Sequence, residues 1–578
     1  GEQLYFQSIF CLQFRQRKVK RYNKYRIINS NIHKMKKFRI YLTLFLLLVI
    51  IQPAFPQVYR QWAKTVNGSI NNEDYFTKSA VDDSGNVYLT GTIYNSPTGR
   101  DIMFRKYNSS GELVWQHDYS SVTPDGQDGG VGILYENGYV YITGDVETTL
   151  NVKDIIVIKR DAVTGNLIWS KTYNGAGNSN DHVYTFTLDN AGNVYICGMS
   201  SNGATDFDIL IVKYNSSGGF QWDYTGGGNG FDRGIDIEID NSGNVFACGT
   251  DVASNVFSEI VTLKFQPDGS MMAEVYLENG VDSNDAASNI AIDAQGNVYT
   301  TGYVETLNQQ MNIALVKYNN AGVQQWVRYY NGTSNGNDAV RDMKIDAAGN
   351  ICLTGYSFSS VSSLDYITIK YNSAGSLLWA TRYIGDYLSG DNVATSIALD
   401  DSANIYITGG SRESSTGSDI VTVKYNTAGS MQWVMKQNGS VNTSYQENGR
   451  CIAIDNINNV FVAGVNDASD GILIKYVQAP IGIQPNGNEI PKQFELMQNY
   501  PNPFNPSTNI EFSVPNSGIV KLVLYDITGR EVSALVDQHM NAGNYSYRLN
   551  ASGLSSGVYF YRMDSGDFTE IKKMILIK

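Results

Sequence analysis

Histidine and cysteine are scarce in this 578-residue chain, at four and five residues. His33, His117, His182 and His539 are scattered and no Cys-x-x-Cys pair occurs, so a zinc site lacks its usual ligand spacing. Cys11 lies near the start, while Cys197, Cys248, Cys352 and Cys451 each fall inside an apolar run, where small thiols read as core rather than as a disulfide framework. No segment has convincing helical spacing, which argues against helical and mixed α/β architectures. The apolar run 40–51 is about a dozen residues long, against the roughly twenty that a membrane-spanning helix needs. Charged residues are only 17% and unbalanced, giving a net charge of −13. Residues 1–39 hold eleven Lys or Arg and one acid, so the remainder carries −23 and should repel nucleic acid and anionic membranes.

Glycine is abundant, at 55 residues, and it marks a repeat. A strand resembling Gly-Asn-Val-Tyr-x-x-Gly returns about every 53 residues, ending at Gly91, Gly144, Gly198, Gly249, Gly302, Gly355, Gly409 and Gly464. Each copy holds four short runs of alternating apolar residues bounded by Gly, Asn, Asp and Ser. In one copy the runs are 181–189, 193–198, 208–214 and 220–225. Tight turns at 189–193 and 215–218 share one face, and longer connections that differ between copies, such as 199–207 and 226–230, share the other. Four strands repeated radially form the blades of a β-propeller, and variable loops on such a scaffold are where binding usually sits.

Tryptophan sets the register. Trp62, Trp115, Trp169, Trp222, Trp326, Trp379 and Trp433 all take one fourth-strand position, with Ala273 as the eighth. Trp62 precedes the first full repeat and the last repeat stops at Tyr476 without a fourth strand, so the N-terminal strand is expected to complete the final blade. The expected fold is all-β: an eight-bladed β-propeller of four-stranded blades over 58–477, then a linker at 478–493 with Pro480, Pro485, Gly487 and Pro491, then a small β-sandwich over 494–578.

Ahead of the ring, Met35-Lys-Lys-Phe-Arg39, the apolar run and Gln52-Pro-Ala-Phe-Pro-Gln57 follow the three-part plan of a secretory signal peptide, 35–57. Residues 1–34 are read as upstream or appended sequence and are given no fold; Glu2-Gln-Leu-Tyr-Phe-Gln-Ser8 resembles a tobacco-etch-virus protease site.

The C-terminal segment carries a series of ordered motifs: Tyr500-Pro501-Asn502-Pro503-Phe504, then Asp526 with Gly529 and Arg530, Gly543, Gly557 with Tyr559, and Lys572-Lys573 before the last apolar residues. These resemble the type A C-terminal sorting domain of the type IX secretion system. The resemblance covers 494–578 and implies a Gram-negative host, export through the periplasm and outer membrane, the type IX machinery as partner, and then release or attachment to surface lipopolysaccharide. The propeller strands, with Asp-Ile-x-x-x-Lys-Tyr-Asn runs at 208–215 and 419–426, resemble SBBP repeats, a family defined by fold with no agreed activity.

Three sets of residues recur. The tryptophans are expected to pack between blades with the indole N–H on main chain. Lys106, Lys159, Lys213, Lys264, Lys317, Lys370, Lys424 and Lys475 recur on third strands, and such constancy within a chain suits structure, because a site normally breaks the symmetry of its scaffold. Asp74, Asp181, Asp232, Asp285, Asp338 and Glu447 share a first-strand entry position, with Asn392 at the seventh copy and Asp128 one residue displaced. They read either as an acidic ring at the channel mouth able to hold calcium or as separate caps on backbone N–H groups.

Two functions remain open. One is a secreted or cell-surface binding protein presenting its variable face, with Tyr94, Tyr303, Tyr356 and Tyr387, to a glycan, protein or matrix ligand. The other is an extracellular propeller enzyme, either a quinoprotein-like dehydrogenase, though the vicinal cysteines of many such enzymes are missing, or a polysaccharide hydrolase or lyase using paired carboxylates. No catalytic residue stands out, and no cofactor other than calcium is expected.

Overall fold

The structure, a computed structural model, describes residues 57–578 except 71, 122–124, 150–151, 202–205, 229, 254–256, 278–283, 306–309, 389, 414–416, 438–446, 467, 480–482, 486–489, 541 and 552–553. The leader 1–34 and, but for its last residue, the signal segment 35–57 lie outside the described residues.

Residues 57–479 form eight sheets, each of four antiparallel strands, the first joined by a fifth, two-residue strand, Gly126–Gln127, parallel to Gly99–Tyr107. The third is Asp181–Leu188, Val194–Ser201, Phe207–Tyr214 and Phe220–Gly226, paired in that order. Burial peaks at the second strand, is partial on the first strand beside the channel, and is lowest at the rim. Val194–Ser201 is buried along its whole length because neighbouring sheets cover both of its faces, while Phe220–Gly226 on the rim alternates between exposed and half-buried. Each seam between blades has its own apolar core. That between the third and fourth joins Tyr195, Ile209 and Ile211 to Ile237, Val245 and Leu263. The eighth seam joins Phe76, Leu89 and Met103 of the first blade to Cys451, Phe461 and Leu473 of the last, so the ring closes on itself. Its last sheet is completed by Gln57–Val66, paired antiparallel with Gly471–Ala479.

The repeated turn is explained by its hydrogen bonds. Asp189 Oδ1 accepts from the N–H groups of Ala191 and Asn193 at 3.0 and 2.9 Å, and Oδ2 accepts from Asn193 Nδ2 at 2.7 Å and the Tyr195 hydroxyl at 3.0 Å. Gly192 supplies the positive φ, +76°, that closes the turn. Asp, Gly, Asn and Tyr of the motif are thus one local network.

Adjacent blades are locked by a second network. Across the outer pair of strands each Trp faces the repeated Lys: Trp115 opposite Lys106, Trp222 opposite Lys213, and, across the closing strand, Trp62 opposite Lys475. At four of the eight seams both donate to one carbonyl in the third-to-fourth-strand turn of the next blade. Trp115 Nε1 and Lys106 Nζ reach Ala162 O at 3.2 and 2.8 Å, Trp222 and Lys213 reach Pro267 O at 3.1 and 2.9 Å, and Trp62 and Lys475 reach Ser109 O at 3.4 and 2.8 Å. The ammonium also lies over a second-strand ring, as Lys213 does over Tyr195 at 4.9 Å. Beneath the indole the next turn presents a glycine: a Cβ at Gly218 would stand 2.9 Å from Trp169 Cδ2.

The C-terminal segment is a sandwich of two four-stranded sheets. One orders Ile483–Pro485, Gly543–Asn550, Ser507–Val514 and Glu495–Leu496, and the other Glu531–Met540, Gly518–Asp526, Gly557–Ser565 and Phe568–Leu576. Phe512, Val514, Leu522, Leu524, Tyr561 and Met574 fill the space between them. Ile483–Pro485 falls in the segment expected to be a tether: it pairs with Tyr545–Tyr547, so the linker contributes an edge strand, a position that tolerates Pro485.

Replacing Trp169 by Ala should cost about 3–5 kcal/mol in denaturant unfolding, because it empties a seam and leaves Ser216 O with one donor fewer. At Ala273 the space has already closed, to a cavity of ≈10 Å³ lined by Lys264, Val275 and Tyr318. Ala273→Trp, although it restores the repeat, should therefore destabilise by about 1–3 kcal/mol through overpacking. A gain in stability would contradict this packing.

Candidate functional site

Symmetry points to the site by subtraction. The recurring Trp, Lys and turn Asp side chains are engaged in the networks above. The first-strand acids are engaged too, each within its own blade. Asp74 accepts from Gly68 N and Tyr94 N at 2.6 and 2.7 Å, and Asp338 from Gly332 N and Phe358 N at 2.6 and 3.2 Å. Asp181 holds Gly175 N at 2.7 Å, Asp232 holds Val252 N at 2.5 Å and Asp285 holds Glu305 N at 2.8 Å. The displaced Asp128 does the same with Ser121 N and Glu147 N, and Asn392 with Arg412 N. These side chains and Glu447 are almost fully buried. Asp74, Asp128 and Asp338 each staple the loop entering the blade to the end of the second strand or the loop that follows. Burial raises the Asp74, Asp128, Asp181 and Asp338 carboxyls, and takes Asp232 to about 6. They do not converge: among the described residues no three His, Cys, Asp or Glu side chains are grouped as a metal site would need.

The cysteines are likewise separate. Cys197, Cys248, Cys352 and Cys451 are buried and unbridged, and burial takes the Cys352 thiol up to about 12.

What breaks the symmetry lies in the central channel, a cavity of ≈750 Å³. Every first strand carries a bulge at one register, between Gly234 and Asp236 in the fourth blade and between Val340 and Asp342 in the sixth. A bulge re-aims the residues after it, and here those residues differ from blade to blade: Lys78, Thr185, Asp236, Asn289, Asp342, Ser396 and Cys451 line the channel, with Glu238 and Lys344 two positions further on. The channel runs to the tight-turn face beside Asp240 and Asp293.

Asp236 Oδ2 accepts from Ile290 N of the fifth blade at 3.0 Å, and Asp342 Oδ2 from Ile397 N and Ser396 Oγ of the seventh at 2.9 and 3.0 Å, so both carboxylates tie neighbouring first strands. Burial raises Asp236 to about 6 and, with the charge of Asp236 added, Glu238 to about 7. Lys344 is held above its ordinary value chiefly by Asp342. The Asn289 Oδ1 atom is buried without a partner. A carboxyl near 7 beside an ammonium can exchange protons or bind a polar ligand. Sequence reading missed this group because single acids on alternating strands carry no spacing signal; the one clue was that Asp236 and Asp342 stand where other copies have Lys, Gly, Thr, Asn, Ser or Cys.

In the sandwich, the Tyr500–Phe504 motif pins the last strand. Phe504 is buried, its N–H donates to Ile575 O at 3.0 Å and its carbonyl accepts from Ile577 N at 3.0 Å, while Asn502 Oδ1 accepts from Ile575 N at 2.9 Å. Tyr500, by contrast, is 81% exposed. Asp526 closes a turn by accepting from the Thr528 hydroxyl and from Arg530 N and Thr528 N, which draws its carboxyl down to about 2, and Gly529 takes φ +81° there. Gly543 and Gly557 open strands, the Tyr559 hydroxyl donates to Ser555 O at 2.8 Å, and Lys572 pairs with Glu570 at 2.6 Å. Lys573 contributes its carbonyl, which accepts from Gln498 Nε2 at 2.7 Å and Asn502 Nδ2 at 3.2 Å.

Residues 498–578 match a family described as the secretion system C-terminal sorting domain. A chain ending in this domain is exported by the type IX system to the cell surface or beyond. No curated protein matches the chain in sequence. Among solved structures it is similar to the quinohemoprotein alcohol dehydrogenase of Comamonas testosteroni, at 10% identity and TM-score 0.44 over 77% of this chain and 78% of that one. It is also similar to PorZ, a bacterial surface component of the type IX secretion system of Porphyromonas gingivalis, at 14% identity and TM-score 0.32 over 87% and 81%. The WD40 domain of SCAP from fission yeast aligns at 9% identity and TM-score 0.40 over 73% and 98%.

Two outcomes are expected. Because Glu238 titrates higher folded than unfolded, 4.5 rising to about 7, the folded state binds the extra proton and the stability it lends at low pH is lost as pH rises through that range. Glu238→Gln should therefore lessen the fall in thermal midpoint between pH 5 and 8, by an amount worth about 1–2 kcal/mol after allowing for water in the channel. Parallel pH curves for the two proteins would refute the shift. Deleting 494–578 should leave a folded ring in the periplasm, read by fractionation and protease protection; normal surface appearance of the truncated chain would overturn the sorting role.

Proposed function

We propose that this is a surface-displayed or released binding protein, an SBBP-type ring carried through the outer membrane by its tail, then freed or attached to surface lipopolysaccharide. The observation that carries the reading is the division of labour within the repeat. The eightfold residues are used up in holding blades and loops, whereas the side chains that differ between blades line the channel and the long-loop face. Such a division suits recognition of an extracellular glycan, protein or matrix ligand on a rigid frame.

Calcium is a weaker part of the proposal, since the acids that would bind it already accept backbone N–H groups. A second reading is favoured by one observation, the raised Glu238 and Asp236 carboxyls beside Lys344, which suits a polysaccharide hydrolase or lyase better than a quinoprotein-like dehydrogenase.

A glycan-array and thermal-shift screen of the exported protein, with and without calcium, tests the proposal. A saturable ligand that raises the midpoint and is recovered unchanged is the expected result. Release of new reducing or unsaturated ends, lost in Glu238→Gln, would replace binding by catalysis.

A further inference from the structure

The long-loop face carries four guanidinium groups lying over tyrosine rings, on four successive blades. In the sixth, Arg341 lies over Tyr356 at 5.5 Å; it sits at the first-strand bulge and is exposed. In the seventh, Arg412 at the end of the second strand lies over Tyr387 of the entering loop at 5.6 Å. Arg450, at the bulge of the eighth, lies over Tyr75 of the first blade at 3.9 Å, and Arg100 of the first lies over Tyr94 at 5.7 Å while donating to the Tyr75 hydroxyl at 2.8 Å. No repeat rule demands these arginines: the same positions elsewhere hold Thr77, Tyr184 and Ser288 at the bulge.

Their charge is left over. Among the described residues Arg100, Arg341 and Arg412 have no carboxylate within ion-pair distance, and Arg450 has only the half-exposed Glu73 at 3.5 Å. Arg100 Nε is buried without a partner. In a chain where acids outnumber bases by thirteen, an arc of unneutralised guanidinium is a local reversal of sign. At the exposed Arg341 and Arg412 the tyrosine contact leaves the N–H edge free for two parallel bonds to a carboxylate or sulfate, whereas Arg450 shares its edge with Glu73 and Arg100, held by the Tyr75 hydroxyl, adds charge to the arc. The exposed ring edge and hydroxyl beside it offer a surface for sugar C–H and O–H groups.

We infer that the arc spanning the sixth, seventh, eighth and first blades binds an acidic polysaccharide, bearing one carboxylate or sulfate every sugar or two. A single small anion would need the arginines to converge, whereas these are spread over successive blades as the charges of a linear polymer are. The inference rests on the binding reading above and gives it a ligand class.

The exported full-length protein is passed over immobilised alginate, dextran sulfate, neutral dextran and poly-glutamate at low and physiological salt. Retention on alginate or dextran sulfate that weakens with salt, with none on dextran, is expected; alginate alone assigns carboxylate and dextran sulfate alone assigns sulfate. The combined R341Q, R412Q and R450Q protein should bind at least tenfold more weakly with an unchanged melting temperature. The corresponding Arg→Lys protein, which keeps charge but loses the planar fork, should lie between, and it decides the matter if the Gln protein does not fold. Lys171→Gln, exposed on the outer strand of the second blade, should bind as the parent does. Equal binding by parent and Gln protein, or equally tight binding of poly-glutamate, would overturn the inference. If neutral glycans or a protein ligand bind while neither polyanion does, the inference falls and the binding reading stands; if no ligand of any class binds, both fall.

Discussion

The constraint on which the ring depends is a lock from the outer strands of one blade to the third-to-fourth-strand turn of the next: at four seams one carbonyl oxygen accepts at once from an indole N–H and a lysine ammonium, at three the lysine or the indole reaches that turn alone, and at one both reach Gln478 Oε1. A buried ammonium is costly unless donors and acceptors are matched, and here the carbonyl, the aromatic ring of the second strand and the turn aspartate share that task. Lys475 is the clearest case. It is fully buried, burial pulls it down to about 8, and it reaches across the closing seam to Ser109 O. The same carbonyl receives Trp62 from the strand that enters the ring more than four hundred residues earlier in the chain. The closing seam is therefore made by the same interaction as the seams that join the first four blades.

That constraint also explains where variation is allowed. The turn face is committed to the Asp-Gly-Asn-Tyr network and to the glycine under each indole. On the opposite face the entry acids secure only the loop bases, through backbone N–H groups, so that loop tips and the side chains beyond them are free to differ. The bulge in each first strand extends this freedom into the channel: it aims one further residue per blade at the axis without disturbing the second strand, which stays buried throughout. Charge differences accumulate there, with acids in the fourth and sixth blades and arginines at the mouth.

Much of the fold was legible because it is repeated. The runs read at 181–189, 208–214 and 220–225 differ from the observed strands by a residue or so, since Gly, Asn and Asp stop strands for local reasons that sequence displays. The sandwich was less legible. Glu531–Met540 is the harder strand to read because it is an edge strand with register shifts, in which Val532, Leu535, Val536 and Met540 pack on the core at uneven intervals among polar residues. Ile483–Pro485 read as tether because two prolines and a glycine dominate its surroundings. The channel group was illegible for a different reason: Asp236, Glu238, Asp342 and Lys344 come together only through ring closure, over distances in sequence that no motif spans.

Native-state hydrogen exchange, resolved by peptide, tests the closing interaction most directly. If one repeated lock holds the ring, amides of 57–66 and 471–479 exchange as slowly as those of the second strands in the middle blades, through the same global opening. Exchange of 57–66 in seconds, with the other blades still protected, would mean that the N-terminal strand is an appendage and that the ring stands without it.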